Sequence, residues 1–276
     1  MLFGKKNCTQ CGSSFDVVEE TCPACKHRDE NFENLGIPKN ILWLPTWKQL
    51  VIFAIGLVGL NIVSIFAELF FGFYAEIHPV VFVTTVNVVR YLACAIAIGA
   101  ILIHDYHKFP KFLKKWQPWV IGIGIGAGIL AATYIYNSAI DLIHPTTPNE
   151  NQSTINLLID SFPITSVLLL GFLGPIVEEF TYRVGLYSFF RRINKYLAYV
   201  LTLVIFGLIH FNFLAKGEDM VNELLNLPIY MISGFLLTLA YEKFGLACAT
   251  TAHVFNNLYG VVMTILLKFV SQYVGG

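Results

Sequence analysis

Apolar residues in this chain gather in long runs rather than in the stripes of a soluble amphipathic helix. The runs lie near Leu50–Phe73, Val80–Ile103, Val120–Asn137, Ile164–Phe190, Leu197–Phe213, Leu224–Tyr241 and Leu246–Phe269. About 20 such residues cross a bilayer core as a helix, so the pattern predicts about seven spans. An eighth is accommodated in the longest run or in the amphipathic piece Thr154–Asp160. The first forty residues are polar and cysteine-bearing instead. The predicted class is therefore all-α, a polytopic helical membrane protein with a small N-terminal zinc ribbon. Its expected layout is a ribbon over 1–30, a linker over 31–46 and a transmembrane domain over 47–276.

Composition supports that class. The 276 residues are 56% hydrophobic and only 13% charged, where a soluble domain carries about 25% charge. The formal net charge is zero, which gives no basic field and no case for a nucleic-acid partner. The N-terminus lacks the apolar stretch of a cleavable signal peptide. The first long run then acts as an uncleaved anchor, with membrane lipid as the surrounding partner.

The placement of charge sets an expected orientation. With the N-terminal module in the cytoplasm, the loops carrying Lys108, Lys111, Lys114 and Lys115, then Arg191, Arg192 and Lys195, then Lys243, all fall inside. The loop Ser138–Ser161 has no Lys or Arg and falls outside. This is the positive-inside arrangement, with Lys216 as its exception. Asn151-Gln-Ser153 matches a glycosylation sequon, a weak pattern that matters only in a secretory pathway.

Cys8-x-x-Cys11 and Cys22-x-x-Cys25 form two knuckles ten residues apart. Four thiolates at this spacing suit tetrahedral zinc, and a closed four-sulfur site is structural. Gly12 and Pro23 suit tight turns. Two disulfides or a redox pair are the competing chemistry, disfavoured in the cytoplasm; His27 is a distant fifth candidate ligand. Cys94 and Cys248 fall in apolar runs and are expected as small buried residues.

The costliest residues are in Gly174-Pro-Ile-Val-Glu-Glu-Phe-Thr-Tyr-Arg183. Each charge at the centre of a span costs roughly 2.5 to 3.5 kcal/mol on translocon scales, so an ionisable group there points to function. Residues four apart share a helix face, which pairs Glu179 with Arg183. Glu178 points about 100° away, beside Tyr182, and has no cation in its own helix. Pro175 leaves the Gly171 carbonyl without its helical donor and predicts a kink. Downstream, His210 ends Phe206-Gly-Leu-Ile-His210, and His253 and Asn257 share a face of the last run. Counting about 1.5 Å per residue from the basic ends puts Glu178, His210, His253 and Asn257 at overlapping depth. Such a set suits acyl hydrolysis by water. Glu178 and His210 would hold and deprotonate the water, and His253 and Asn257 would stabilise the oxyanion. A metal held by Glu178, His210 and His253 is the alternative.

Glu178-Glu179-x-x-x-Arg183, Phe206-x-x-x-His210 and His253-x-x-x-Asn257, in this order, resemble the three motifs of the CPBP intramembrane proteases. These include the type II CAAX prenyl endopeptidases and the bacteriocin-processing or immunity (Abi) proteins. The resemblance covers roughly residues 162–269. It implies a membrane peptidase in which Glu178 is the catalytic glutamate, His210 helps activate water, and His253 and Asn257 bind the oxyanion; Glu179 and Arg183 complete the motif. The substrate would be a peptide or a membrane-protein segment. Metal dependence stays open. The ribbon looks like an accessory module of bacterial membrane proteins that binds a partner or regulates access, so the expected location is the bacterial plasma membrane. The rival functions are a proton-coupled transporter, which paired broken helices would support, and a non-catalytic immunity or scaffold protein.

Overall fold

The computed structural model describes residues 5–16, 21–27, 41, 43–108 and 114–274. Most of the expected linker, and Lys111, lie outside them. Eight helices are described: α1 (Thr46–Ile77), α2 (Pro79–Tyr106), α3 (Gln117–Asp141), α4 (Glu150–Ser161), α5 (Pro163–Arg191), α6 (Lys195–Leu208), α7 (Glu218–Phe244) and α8 (Leu246–Val274). Six of them, all but α4 and α6, are long and apolar enough to cross a membrane. The chain is an integral membrane protein of all-α class.

The fifth apolar run departs from expectation. Predicted to span through Phe213, it stops as the 14-residue α6, about 21 Å long. The backbone N–H of His210 then bonds to the Gly207 carbonyl and that of Phe211 to Leu208, a tight turn that ends the helix. His210 therefore stands just past the C-terminus of α6 and not within a continuous helix. The amphipathic piece considered for an eighth span is α4, 12 residues long and too short to cross.

Helix α5 is one rod with two wide stretches. Val167–Leu173 and Phe180–Tyr187 are π-helical, and a short α-helical turn, Gly174–Glu179, lies between them. Pro175 sits at the start of that turn, and the N–H of Gly174 reaches back to the Leu169 carbonyl. The expected disturbance at Pro175 is thus spread over two π segments, a feature common beside functional sites. It turns α5's carbonyls and carboxylates toward neighbouring helices.

Close approaches fix the other walls. On α3, a Cβ added at Gly122 would meet the Cys248 carbonyl and Thr251, and one at Gly126 would meet the Ala252 carbonyl and Phe255. These two glycines, four apart, let α8 lie against α3, as small-residue repeats do in membranes. Gly56 of α1 lies on Thr181 of α5, and Gly185 of α5 on Phe53. Cys94 and Cys248 are buried in the apolar core, as expected.

Buried carboxylates tie both ends of the bundle. Glu242 accepts from the Tyr187 hydroxyl at 2.7 Å and from Arg191 Nη2 at 3.0 Å. At the opposite end, Glu223 accepts from Asn149 Nδ2 at 3.3 Å and from the backbone N–H groups of Glu150 at 3.0 Å and Asn212 at 3.2 Å. One side chain of α7 thereby holds the start of α4 and the loop after α6.

Near the N-terminus, Lys5–Asn7 (β1) and Ser14–Asp16 (β2) pair antiparallel, with Lys6 opposite Phe15. The two cysteine knuckles close alike. Gly12 N–H donates to the Cys8 carbonyl and Lys26 N–H to Cys22, and both Gly12 and Lys26 have positive φ. Glycine takes this conformation freely; the lysine is the costlier choice.

Candidate active site

α5 presents its two glutamates to different neighbours. Glu179 is fully buried, with Arg183 Nη1 3.0 Å from its Oε1, so the predicted ion pair forms. His253 Nδ1 stands 2.8 Å from the same oxygen. The Arg183 guanidinium also donates to the Gly234 carbonyl at 3.4 Å and lies 4.6 Å from the centre of the Phe206 ring. The two charges of this deep pair are matched to each other, while Glu179 Oε2 and Arg183 Nε are buried without a hydrogen-bond partner among the described residues.

Glu178 is mostly covered but keeps 12% of its side chain exposed, where Glu179 keeps none, and it lines a cavity of about 570 Å³. No Lys or Arg is ion-paired to it among the described residues. Its Oε1 accepts from the Tyr91 hydroxyl at 3.0 Å, and its Oε2 lies 3.7 Å from His253 Nε2. His210, His253, Asn256 and Asn257 line the same cavity. The four residues predicted at one depth, Glu178, His210, His253 and Asn257, thus share one space, while Glu179 and Arg183 stand behind it.

The hydrogen bonds constrain where protons sit. His210 Nδ1 is 2.8 Å from the Phe206 carbonyl, which can only accept, so Nδ1 carries the proton. In the neutral ring Nε2 is then a free acceptor. The ring stacks on Tyr230 at 4.4 Å between centroids, 9° from parallel, which fixes its plane. His253 follows the same logic. Its Nδ1–H donates to the Glu179 carboxylate, which can only accept, and its Nε2 is left on the Glu178 side. Asn257 donates one amide hydrogen to the Leu170 carbonyl at 3.3 Å and accepts from Asn256 at 3.1 Å. The carbonyl that finds this side chain is Leu170, in the first π segment, next to the expected Gly171.

Tyr91, Asn256 and Tyr230 went unnoticed in the sequence. Tyr91 was detectable: it follows Arg90, the one charged residue in the run Val80–Ile103, and an intramembrane charge marks its surroundings. Tyr230 and Asn256 carry no such mark.

The four cysteines are free thiols whose sulfurs all lie within 4.8 Å of one another. Cys8 and Cys25 are 3.5 Å apart, Cys11 and Cys22 3.6 Å. Tetrahedral zinc, with bonds of about 2.3 Å, separates its sulfurs by about 3.8 Å, so the quartet fits a metal ion. Bonds to the Ser13 hydroxyl and backbone bring the Cys11 thiol down to about 6. The Cys25 thiol keeps a favourable backbone bond to His27, yet the Cys11 sulfur, burial and the Cys8 sulfur push it up to about 12. A dication would hold all four as thiolates. His27 is not among the four ligands; its Nε2 is 3.2 Å from the Thr9 hydroxyl. Among the described residues, only this quartet brings three or more His, Cys, Asp or Glu ligand atoms close enough to hold an ion.

Among helices long and apolar enough to cross a membrane, one glutamate, Glu178, and two histidines, His210 and His253, thus share one cavity. Residues 160–259 match the type II CAAX prenyl endopeptidase Rce1-like family, and that match supports an intramembrane protease-like function. The chain belongs with the UPF0177 proteins: it is 30% identical over 138 residues to UPF0177 protein YbdI of Lactococcus lactis, covering 49% of this chain and 71% of that protein. It is 28% identical over 165 residues to UPF0177 protein YvdC of the same organism, covering 58% of each. No solved structure gives a significant match.

Proposed function

We propose that the protein is an intramembrane endopeptidase in which Glu178 and His210 activate a water molecule for attack on a peptide bond. One observation carries this reading. Of two adjacent glutamates, Glu179 is buried and paired through Oε1 with Arg183 and His253, while Glu178 faces the cavity and, among the described residues, is hydrogen-bonded by a tyrosine hydroxyl alone. His210 Nε2 is the second acceptor, its tautomer set by Phe206. Water held between the two loses its proton as it attacks the carbonyl. His253, held in place by Glu179, and Asn257 donate to the developing oxyanion, the arrangement that usually gives the largest electrostatic gain. The proton then passes to the leaving amine. Glu179 and Arg183 act as the support of this wall. No step is assigned to a metal.

The accompanying assignments follow. The cysteine quartet holds a structural zinc, and the ribbon it builds receives a partner or regulates access. The protein sits in a bacterial plasma membrane with its N-terminus in the cytoplasm. Its substrate is a peptide or a membrane-protein segment.

The test compares membrane proteomes of cells carrying the wild type, Glu178→Ala or His210→Ala. Both variants should accumulate in the membrane and leave the same substrate uncut. Full proteolysis by Glu178→Ala would sink the reading and favour a peptide-binding scaffold, which works without the carboxylate.

A further inference from the structure

Arg90 stands on the wall of the cavity opposite the glutamate helix, and nothing in the proposed chemistry uses it. It belongs to α2, one residue before Tyr91, whose hydroxyl bonds Glu178. Among the residues lining the cavity it is the one Lys or Arg. Among the described residues no carboxylate pairs with it, and its Nε is buried without a hydrogen-bond partner. Its recorded neighbour is the Tyr91 ring, 5.3 Å from the guanidinium carbon. The buried cations Arg183, Arg191 and Lys48, by contrast, are each ion-paired. A guanidinium that stays charged in a span, without an anion of its own chain, has its site open for one.

We infer that Arg90 is a specificity-determining residue that binds a carboxylate of the substrate, holding it in fixed register with the bond presented to Glu178. The inference rests on the peptidase reading above. The chemistry favours a carboxylate because the planar fork of arginine matches it in two parallel bonds. The rest of the wall suits a peptide. Asn87, Asn151, Gln152, Asn226 and Asn256 line the cavity with neutral amides that can donate to and accept from a backbone. The carboxylate comes from an Asp or Glu side chain or from a free C-terminus. Both present the same group to Arg90, and they are separable by experiment.

The full-length protein in neutral detergent, free of anionic lipid, is given a proteome-derived peptide library, and the cut sites are read by mass spectrometry. The best-cut peptide is then synthesised with each carboxylate neutralised in turn: Asp to Asn, Glu to Gln, or C-terminal acid to amide. One neutralisation should lower kcat/KM by about 10- to 100-fold, the worth of a charge-assisted bond, and which one it is names the source. In Arg90→Gln the difference between that acid and neutral pair should collapse, and Arg90→Lys should restore part of it. Wild-type protein that cuts acid and neutral peptides alike overturns the inference and leaves the peptidase standing. So does an Arg90→Gln variant that loses both members of the pair in equal measure, because that result makes Arg90 a support for Tyr91 and Glu178. A library with no cut peptide removes the peptidase reading, and this inference with it.

Discussion

Glu178 and Glu179 are adjacent in sequence, and their surroundings are opposed. Glu179 is held on one oxygen by Arg183 from the same helix and by His253 from α8. Around Glu178 are a neutral hydroxyl, an imidazole edge at 3.7 Å and open cavity. The difference is produced by the 100° step of the helix and by what each face meets. One face turns into the protein, where a charge survives only if matched; the other turns to a polar space, where a carboxylate stays available for chemistry. His253 is the link between them. It spends one nitrogen on the structural side and offers the other to the reactive side.

Substituting each glutamate in turn is the strongest way to break this comparison. Glu178→Gln should lower the cleavage rate by about 10²- to 10⁴-fold, the usual worth of a general base, and leave the melting temperature in detergent unchanged. Arg183→Met should act in the other currency. It strands the buried Glu179 carboxylate and should cost about 3 to 5 kcal/mol of stability, seen as a lower melting temperature and less protein in the membrane. Glu179→Gln combined with Arg183→Met removes both charges and should recover part of that loss. Should Arg183→Met keep its melting temperature and lose all cleavage, the two sides are not divided as described.

How much of this could be read in advance depends on how local the cause is. The Glu179–Arg183 pair follows from i, i+4 geometry, and the quartet of cysteines from two x-x gaps, so both appear where the sequence places them. Apolar run length gave six of the spans. It failed for the run ending at Phe213, because hydropathy does not register the backbone turn that His210 closes. The π segments of α5 were beyond a pattern argument too. Pro175 announces a disturbance, and tertiary contacts such as Asn257 on the Leu170 carbonyl decide where it spreads. Tyr91 and Glu178 are 87 positions apart, and only packing brings them together.

That contact supplies the next prediction in order of size. Tyr91→Phe keeps the ring and removes one hydrogen bond to a carboxylate, worth about 1.5 to 3 kcal/mol. Its effect should fall on cleavage, about tenfold or somewhat more, with the melting temperature in detergent unchanged. A cleavage rate identical to wild type would detach Tyr91 from the chemistry and leave Glu178 with the histidines alone.

The cysteine quartet gives the smallest expected effect and serves as the outside reference for both glutamates. Its four sulfurs are bound together by an ion or not at all, whereas Glu179 and Arg183 are ion-paired to each other within the bundle itself. In the full chain, Cys8→Ser with Cys11→Ser should abolish bound zinc by elemental analysis, because two of four ligands are gone. The melting of the helical bundle and the cleavage of a detergent-soluble peptide should stay as in wild type. A chelator that strips the ribbon should act like the double substitution. If it also stops cleavage where the substitution does not, a second ion serves Glu178, and the reactive side of α5 works as a metal ligand instead of a free base.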